Sequence, residues 1–568
     1  MAASQCSQQN TFKHFLALVL NGGSCILGDQ VYHLSPTSLN FNSLLWRPRG
    51  QGMLSPKSGS GFTPGSWVLF PDGTRNLFVC LLKDRKMIWQ VGLALLVLFL
   101  VWKYIIDSDP LDQLPGPTRL PYIGSVLTFF GVKYNDLFPL MQSFPKKYGY
   151  RYMIKVFGRR ILHVYNVEDV EIVLSHTKNI SKSKPYTFLQ PWLGTGLLLS
   201  TGGKWHRRRK ILTPTFHFSI LRNFSKIFEE KSRDLVKRLK EMPTEQYLDV
   251  LAVISEFTLY TICETAMGTR LDTDKSKAAV EYKESIKIIG NQVIIRLTRF
   301  WLHMDFVFYR TSLGGQFVKC LEVVRSFADN VIKERRKQVA NPGRGFDDKL
   351  DSKKRQALLD LLLEAESKGE IDVDGIREEV NTFMFEGHDT TAMALAFGLM
   401  LLADHEEIQE KIHEECKGIF GESDRTPSWA DLAEMKYLDA TIKEILRLYP
   451  SVPFIGRVVT EDFMLGDLEV RKGAELLVHI YELHRRPDLF PDPDEFRPER
   501  FLGGVAFLYL TSCLYVGQRF AMQEMKCALS EICRHFRLFP KSRGARPALK
   551  ADIILRPVDP MYVKFVPR

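Results

Sequence analysis

The residues most suited to chemistry stand at 385–391, Phe-Glu-Gly-His-Asp-Thr-Thr, inside an apolar run over 380–403. A run of that length predicts a buried helix, where carboxylates and hydroxyls are costly unless they are used. Glu386 and Thr390 are four apart and share a helix face, with Asp389 adjacent, so a carboxylate and a hydroxyl can line one cavity. An acid beside a hydroxyl is suited to handing protons to a bound reactant. On a second helical stretch Glu444 and Arg447 stand three apart, close enough to pair. Trp205-His-Arg-Arg-Arg209, followed by Lys210, is a strongly basic run in which Arg207, Arg208 and Lys210 form either a solvated face or a dock for an acidic protein. The nine cysteines, Cys6, Cys25, Cys80, Cys263, Cys320, Cys416, Cys513, Cys527 and Cys533, include no CxxC pair. Neither a zinc site nor a disulfide framework is indicated, and a reducing environment fits.

Those groups need a scaffold. With 568 residues, 45% hydrophobic and 25% charged, the chain can bury a large core and is neither fibrous nor disordered overall. A net charge of +11 favours an anionic partner, an acidic protein surface or a lipid headgroup layer. Nucleic acid is disfavoured, because there is no zinc-finger spacing, RNA-binding aromatic signature or long Lys/Arg run. Residues 87–106 are long enough for a bilayer, with one amide, Gln90, and one late cation, Lys103. Trp89, Trp102 and Tyr104 lie toward the ends, at headgroup level. Residues 1–86 show no sustained period and are expected to be a disordered extension or an artefact of start-site assignment, since Met87 opens the apolar stretch directly. The short run at 15–20 is interrupted by Asn21-Gly22-Gly23 and makes a poor signal-peptide core. Lys83, Arg85 and Lys86 before the span, against Asp107, Asp109 and Asp112 after it, would keep the N-terminus cytosolic, a conflict that a start at Met87 removes. The prolines of 114–125 predict a stiff connector. Beyond it the chain reads as one large domain without internal repeats. It has amphipathic helices over 224–240, 354–366 and 406–419 and strands near 152–165, 463–478 and 553–566.

Glu-Gly-x-Asp-Thr-Thr in a long helix resembles the oxygen-activating helix of cytochromes P-450. Glu444-x-x-Arg447 followed by Phe496-Arg-Pro-Glu-Arg500-Phe501 resembles that family's buried Glu-Arg-Arg triad, and Trp205-x-x-x-Arg209 its third-helix motif. The resemblance implies a mainly α fold with a minor β region plus one N-terminal transmembrane helix, divided as extension 1–86, anchor 87–106 and haem domain 107–568. It implies that Thr390 hydrogen-bonds dioxygen on the iron and that Asp389 relays protons. Trp205 and Arg209 would approach one haem propionate and Arg457 a second. Glu444, Arg447 and Arg500 would be structural. Glu386, where most of the family has a small residue, marks the family-4 branch, which oxidises fatty acids and related lipids near the chain end. There this glutamate can form an ester with a haem methyl; the alternative is a neutral buried carboxyl. The implied activity is a haem-thiolate monooxygenase with a small apolar substrate. Its electrons would come from NADPH through cytochrome P-450 reductase, a cytochrome b-type donor being a second route. The implied location is the endoplasmic reticulum membrane with the catalytic domain facing the cytosol.

One motif is missing. The family's FxxGxRxCxG should precede the helix that begins near Gly517, yet the sequence there is GGVAFLYLTSCLYVGQRFA. Alignment on Gly517 puts Tyr515 where the cysteine belongs, with Cys513 two residues early. The thiolate matters because it pushes electron density onto the iron to favour O–O cleavage, which a phenol does not reproduce. Cys513 is the candidate metal ligand; Cys527 and Cys533, inside the following helix, are expected to be packing residues. The abrupt break between intact flanks suggests a misjoined exon or splice variant. Two alternatives stay open: a catalytically defective P-450-like membrane protein without a proper thiolate, and an isomerase-type enzyme, disfavoured because Asp389 and Thr390 are retained.

Overall fold

The computed structural model describes residues 25–26, 31–32, 85–106, 109–176, 178–271, 277–340, 357–503 and 517–568. Cys513, Tyr515 and nearly all of 1–84 lie outside them. The chain divides into two compact units, Met1–Gly92 and Leu93–Arg568. In the first, Cys25–Ile26 pairs antiparallel with Val31–Tyr32.

Helix α1, Arg85–Ile106, has 22 residues. Its described side chains are exposed and, Gln90 apart, apolar, among them Trp89, Leu93, Leu96, Leu98, Phe99 and Trp102. Counted over the described residues alone, no helix is long and apolar enough to cross a membrane. The expected single spanning helix is therefore present as a helix, without a described stretch that meets the requirement for crossing.

The second unit is mainly helical with a small sheet region. The helices that position the candidate residues are α2 (Gly202–Leu212), α3 (Val250–Thr265), α4 (Val373–Asp404), α5 (Lys436–Leu448) and α6 (Gln518–His535). The apolar run at 380–403 falls inside α4, which starts where the Asp372 side chain accepts from the Gly375 amide at 2.8 Å. Apolar side chains on all sides bury α4 nearly throughout. A Cβ on Gly387 would meet Ile262 of α3 at 2.6 Å, so glycine permits the close approach of these two helices beside the candidate site.

Strands β1 (Arg151–Val156), β2 (Arg159–Val164), β3 (Phe454–Val458) and β4 (Glu475–His479) form a sheet in the order β1-β2-β4-β3. The β1–β2 and β3–β4 pairs are antiparallel and the β2–β4 pair is parallel. The alternation near 152–165 is the β1–β2 hairpin. Strand β5 (Phe536–Pro540) follows α6, and β6 (Leu555–Pro557) and β7 (Tyr562–Pro567) close the chain, β7 pairing with β5.

Two expectations change. The proline segment 114–125 is not a free spacer: the Met153 amide donates to Pro115 O at 2.9 Å and the Ser125 amide to Lys155 O at 2.6 Å, docking it on β1. Gly124, at φ +67°, makes this possible, since a Cβ there would lie 2.2 Å from Lys155 O. The helix expected over 354–366 runs over Leu358–Ser367, residues 354–356 lying outside those described.

Candidate active site

Helix α2 places Trp205 and Arg209 one turn apart, the guanidinium 5.8 Å from the indole ring centre. Burial alone pulls the Arg209 pKa down, and no described carboxylate pairs with it. Its neighbour Arg208 does not belong to a basic face. It is buried, with Nε 3.5 Å from Glu379 Oε1 and Nη2 3.8 Å from Glu378 Oε2, both on α4. Only Arg207 and Lys210 of the expected face are exposed. The helical period explains this: a run of consecutive cations encircles the helix, so one of them must point inward.

Arg457 sits on β3, buried, with Nη1 donating to Ile180 O at 3.4 Å. An isolated bridge pairs its backbone with that of Lys182. Burial pushes the Lys182 ammonium down to about 7, reinforced by the Arg457 charge and opposed by Glu386. Burial likewise raises the Glu386 carboxyl to about 7, against the pull of Lys182. Among the described residues no hydrogen-bond donor serves that carboxyl. Sequence reasoning missed Lys182, because nothing in Ser-Lys-Ser-Lys tells an inward lysine from a solvated one.

Asp389 and Thr390 are neighbours with different partners. The Asp389 carboxylate accepts from Arg556 Nη2 at 2.5 Å, and Arg556 Nε donates to Asp552 Oδ2 at 3.0 Å, all three groups being buried. Thr390 Oγ1 donates to Glu386 O at 2.5 Å, and Ser451 Oγ to Thr390 O at 2.7 Å. Glu386 and Thr390 are therefore joined through the helix backbone, while Asp389 turns away toward β6. Among the described residues no hydrogen bond links Asp389 to Thr390, and the Thr390 hydroxyl reaches the Glu386 backbone oxygen rather than its carboxyl. Arg556 lies 167 residues from Asp389 in sequence, a partner no local pattern signals.

The Glu444, Arg447 and Arg500 side chains meet. Arg447 donates to Glu444 from Nε at 2.7 Å and from Nη2 at 2.8 Å, and Arg500 Nε lies 3.3 Å away. Arg447 also donates to the backbone oxygens of His484, Pro493 and Glu495 at 2.8, 2.7 and 3.1 Å. With Glu444 and Arg447 fully buried, loss of one partner would cost about 3–5 kcal/mol.

The donor chemistry suits a flat group bearing carboxylates: among the described residues Arg209 has no counter-ion, Trp205 covers it, and Arg457 is a buried cation on β3. Cys263, Cys320, Cys416, Cys527 and Cys533 are all buried. Burial raises the Cys263 and Cys533 thiols to about 12 and pushes Cys416 and Cys527 up as well, which makes them poor thiolate donors and packing residues.

A model of the family described as cytochrome P450 matches residues 114–565. Cytochrome P450 4d2 of Drosophila melanogaster is 36% identical over 503 residues, covering 85% of this chain and 100% of that protein. Cytochrome P450 4V2 of Homo sapiens is 36% identical over 518 residues, 86% of this chain and 98% of the relative. Cytochrome P450 4c21 of Blattella germanica is 36% identical over 469 residues, with 80% and 93% coverage.

Proposed function

This chain belongs to the cytochrome P450 family, and from that premise we propose that it hydroxylates a fatty acid or related lipid near the chain end at the endoplasmic reticulum membrane. Membership makes it a monooxygenase with haem as cofactor and electrons from NADPH through a reductase. The lipid reading rests on Glu386, a buried carboxyl four residues before Thr390, at the position that marks the family-4 branch.

Haem supplies dioxygen activation and oxygen insertion when bound. Trp205, Arg209 and Arg457 would hold its propionates by charge-assisted hydrogen bonds, and Cys513 would supply the iron ligand. Thr390 Oγ1 would turn from the Glu386 carbonyl to hold a proton in the cavity. Asp389 Oδ2 must leave Arg556 Nη2 to pass a proton toward it. Glu386 would secure the cofactor edge, as a neutral carboxyl or through an ester. Exposed Arg207 and Lys210 are suited to an acidic electron-donor protein such as a reductase or a cytochrome b-type protein. Helix α1 would hold the catalytic domain at the cytosolic face, its exposed apolar side chains covered by lipid.

The test is the reduced carbon-monoxide difference spectrum of this chain, expressed with haem supply, beside Cys513→Ser. A red-shifted thiolate-type Soret band that Cys513→Ser abolishes is the expected result, with NADPH-dependent hydroxylation of a fatty acid in the same preparation. Absence of haem, or a non-thiolate band alone, would overturn monooxygenation for this chain. A thiolate band without any lipid product would overturn the substrate class only.

A further inference from the structure

Arg556 stands between two buried carboxylates. Its Nη2 donates to Asp389 Oδ2 at 2.5 Å and its Nε to Asp552 Oδ2 at 3.0 Å, the two acid side chains being 6% and 1% exposed. Among the described residues no second cation pairs with either acid, so two negative groups share one guanidinium. Burial, aided by the Asp389 charge, raises the Asp552 carboxyl above its ordinary value, against the pull of Arg556.

The two acids are held unequally. Asp552 is fixed in the turn between Leu549–Ala551 and β6: its Oδ1 accepts from the Ile553 amide at 2.7 Å, and its own amide donates to Ile554 O at 3.1 Å. The helix Lys277–Thr298 closes over it at Gly290, where a Cβ would overlap Oδ1. Arg556 is confined as well. The Leu555 amide donates to Ser451 O at 2.8 Å and Ser451 Oγ to Thr390 O at 2.7 Å, which fastens this hairpin to α4. Among the described residues the Asp389 carboxylate, by contrast, has Arg556 as its one hydrogen-bond partner. A carboxylate with one tether, beside a guanidinium with two, is the member of the trio that can leave. Withdrawing it from a singly paired buried arginine would strand a charge, which is strongly unfavourable; with Asp552 in place the arginine keeps an ion pair.

We propose that Asp552 is a positioning residue for the reaction: it holds Arg556 whenever Asp389 lets go, and so sets how readily the Asp389 carboxyl turns toward Thr390. The proposal rests on the reading of Asp389 as the proton carrier. Asp552 works only through the shared arginine.

Asp389→Asn, Asp552→Asn and the double variant of the full chain are compared in two measurements. In urea unfolding, each single substitution leaves Arg556 one carboxylate and should change the unfolding equilibrium constant by about threefold at most, whereas the double variant strands the guanidinium and exceeds the product of the single effects by about tenfold or more. Single effects that simply multiply overturn the sharing of Arg556. In NADPH-dependent hydroxylation of dodecanoate, Asp552→Asn gives Arg556 wholly to Asp389. There kcat per mole of haem falls about tenfold with KM unchanged, and the solvent deuterium isotope effect on kcat rises. An isotope effect equal to the parent's, with or without a lowered thermal melt, overturns the positioning role, because a merely structural lesion leaves proton delivery alone. If Asp389→Asn itself turns over like the parent, or the chain holds no haem, the reading of Asp389 as proton carrier falls and takes the positioning role with it. The urea comparison, which needs no turnover, still decides whether Arg556 is shared.

Discussion

Asp389 and Thr390 show how one peptide step on a helix sends two side chains to different partners. Consecutive side chains diverge by about 100°, so the hydroxyl stays on the Glu386 face while the carboxylate reaches Arg556. If Asp389 delivers protons, Asp389→Asn lowers hydroxylation per mole of folded, haem-loaded protein by about 10²-fold. A purely structural Asp389 would instead leave that turnover unchanged and lower the urea midpoint. Arg556→Met provides the contrast. It strands Asp389 and Asp552 as buried carboxylates and should cost about 3–5 kcal/mol of stability in urea unfolding.

At the scale of elements, α1 and α4 are both apolar helices, and their surroundings distinguish them. Helix α4 is covered by protein on nearly every side. The described apolar side chains of α1 are open, Trp89 at 79% and Leu93 at 62% exposure. Covering each such side chain is worth about 1.5–3 kcal/mol, which lipid can supply. The full chain is therefore expected to remain in the membrane pellet after alkaline carbonate extraction, and a chain lacking residues 1–106 to move to the supernatant. Release of the full chain under the same extraction would remove α1 as an anchor.

Across the whole molecule, stability should respond to acid through buried histidines. Burial lowers His388 to about 4, His479 and His484 to about 3, and His163 well below its ordinary value of 6.5. The folded values lie below the unfolded ones, so the unfolded chain takes up protons first as pH falls. The histidine contribution is complete above about 6.5 and is lost toward about 3, at about 1.4 kcal/mol per pH unit for each group. Burial raises Glu379, Glu386 and Glu482 from 4.5 to about 7, which acts oppositely: that contribution is full below 4.5 and lost as pH rises through 7. The two sets oppose each other between 4.5 and 6.5, and below 4.5 the histidines act together with carboxylates that cationic partners hold low, Asp431 beside Arg425 among them. The urea midpoint is expected to change little across the upper window and to fall below it. His479→Gln should fall less steeply; parallel curves for variant and parent down to pH 3.5 would show that His479 does not carry this response.

Much of the arrangement was legible from local pattern. Periodicity located α4, the hairpin β1–β2 and the C-terminal strands. The three-residue spacing of Glu444 and Arg447 anticipated their pair, because helical neighbours meet wherever the helix lies. The motifs with the right spacing also named the family that the comparisons then showed. What the sequence could not determine is which side chains face inward and whom they meet across long separations. Arg208 turned inward to Glu379, Lys182 lined a cavity with no counter-ion among the described residues, and Asp389 was claimed by Arg556 from 167 residues away. Those outcomes depend on how helices and strands pack after they form, since burial and charge pairing are properties of neighbours in space, which tertiary packing alone brings together.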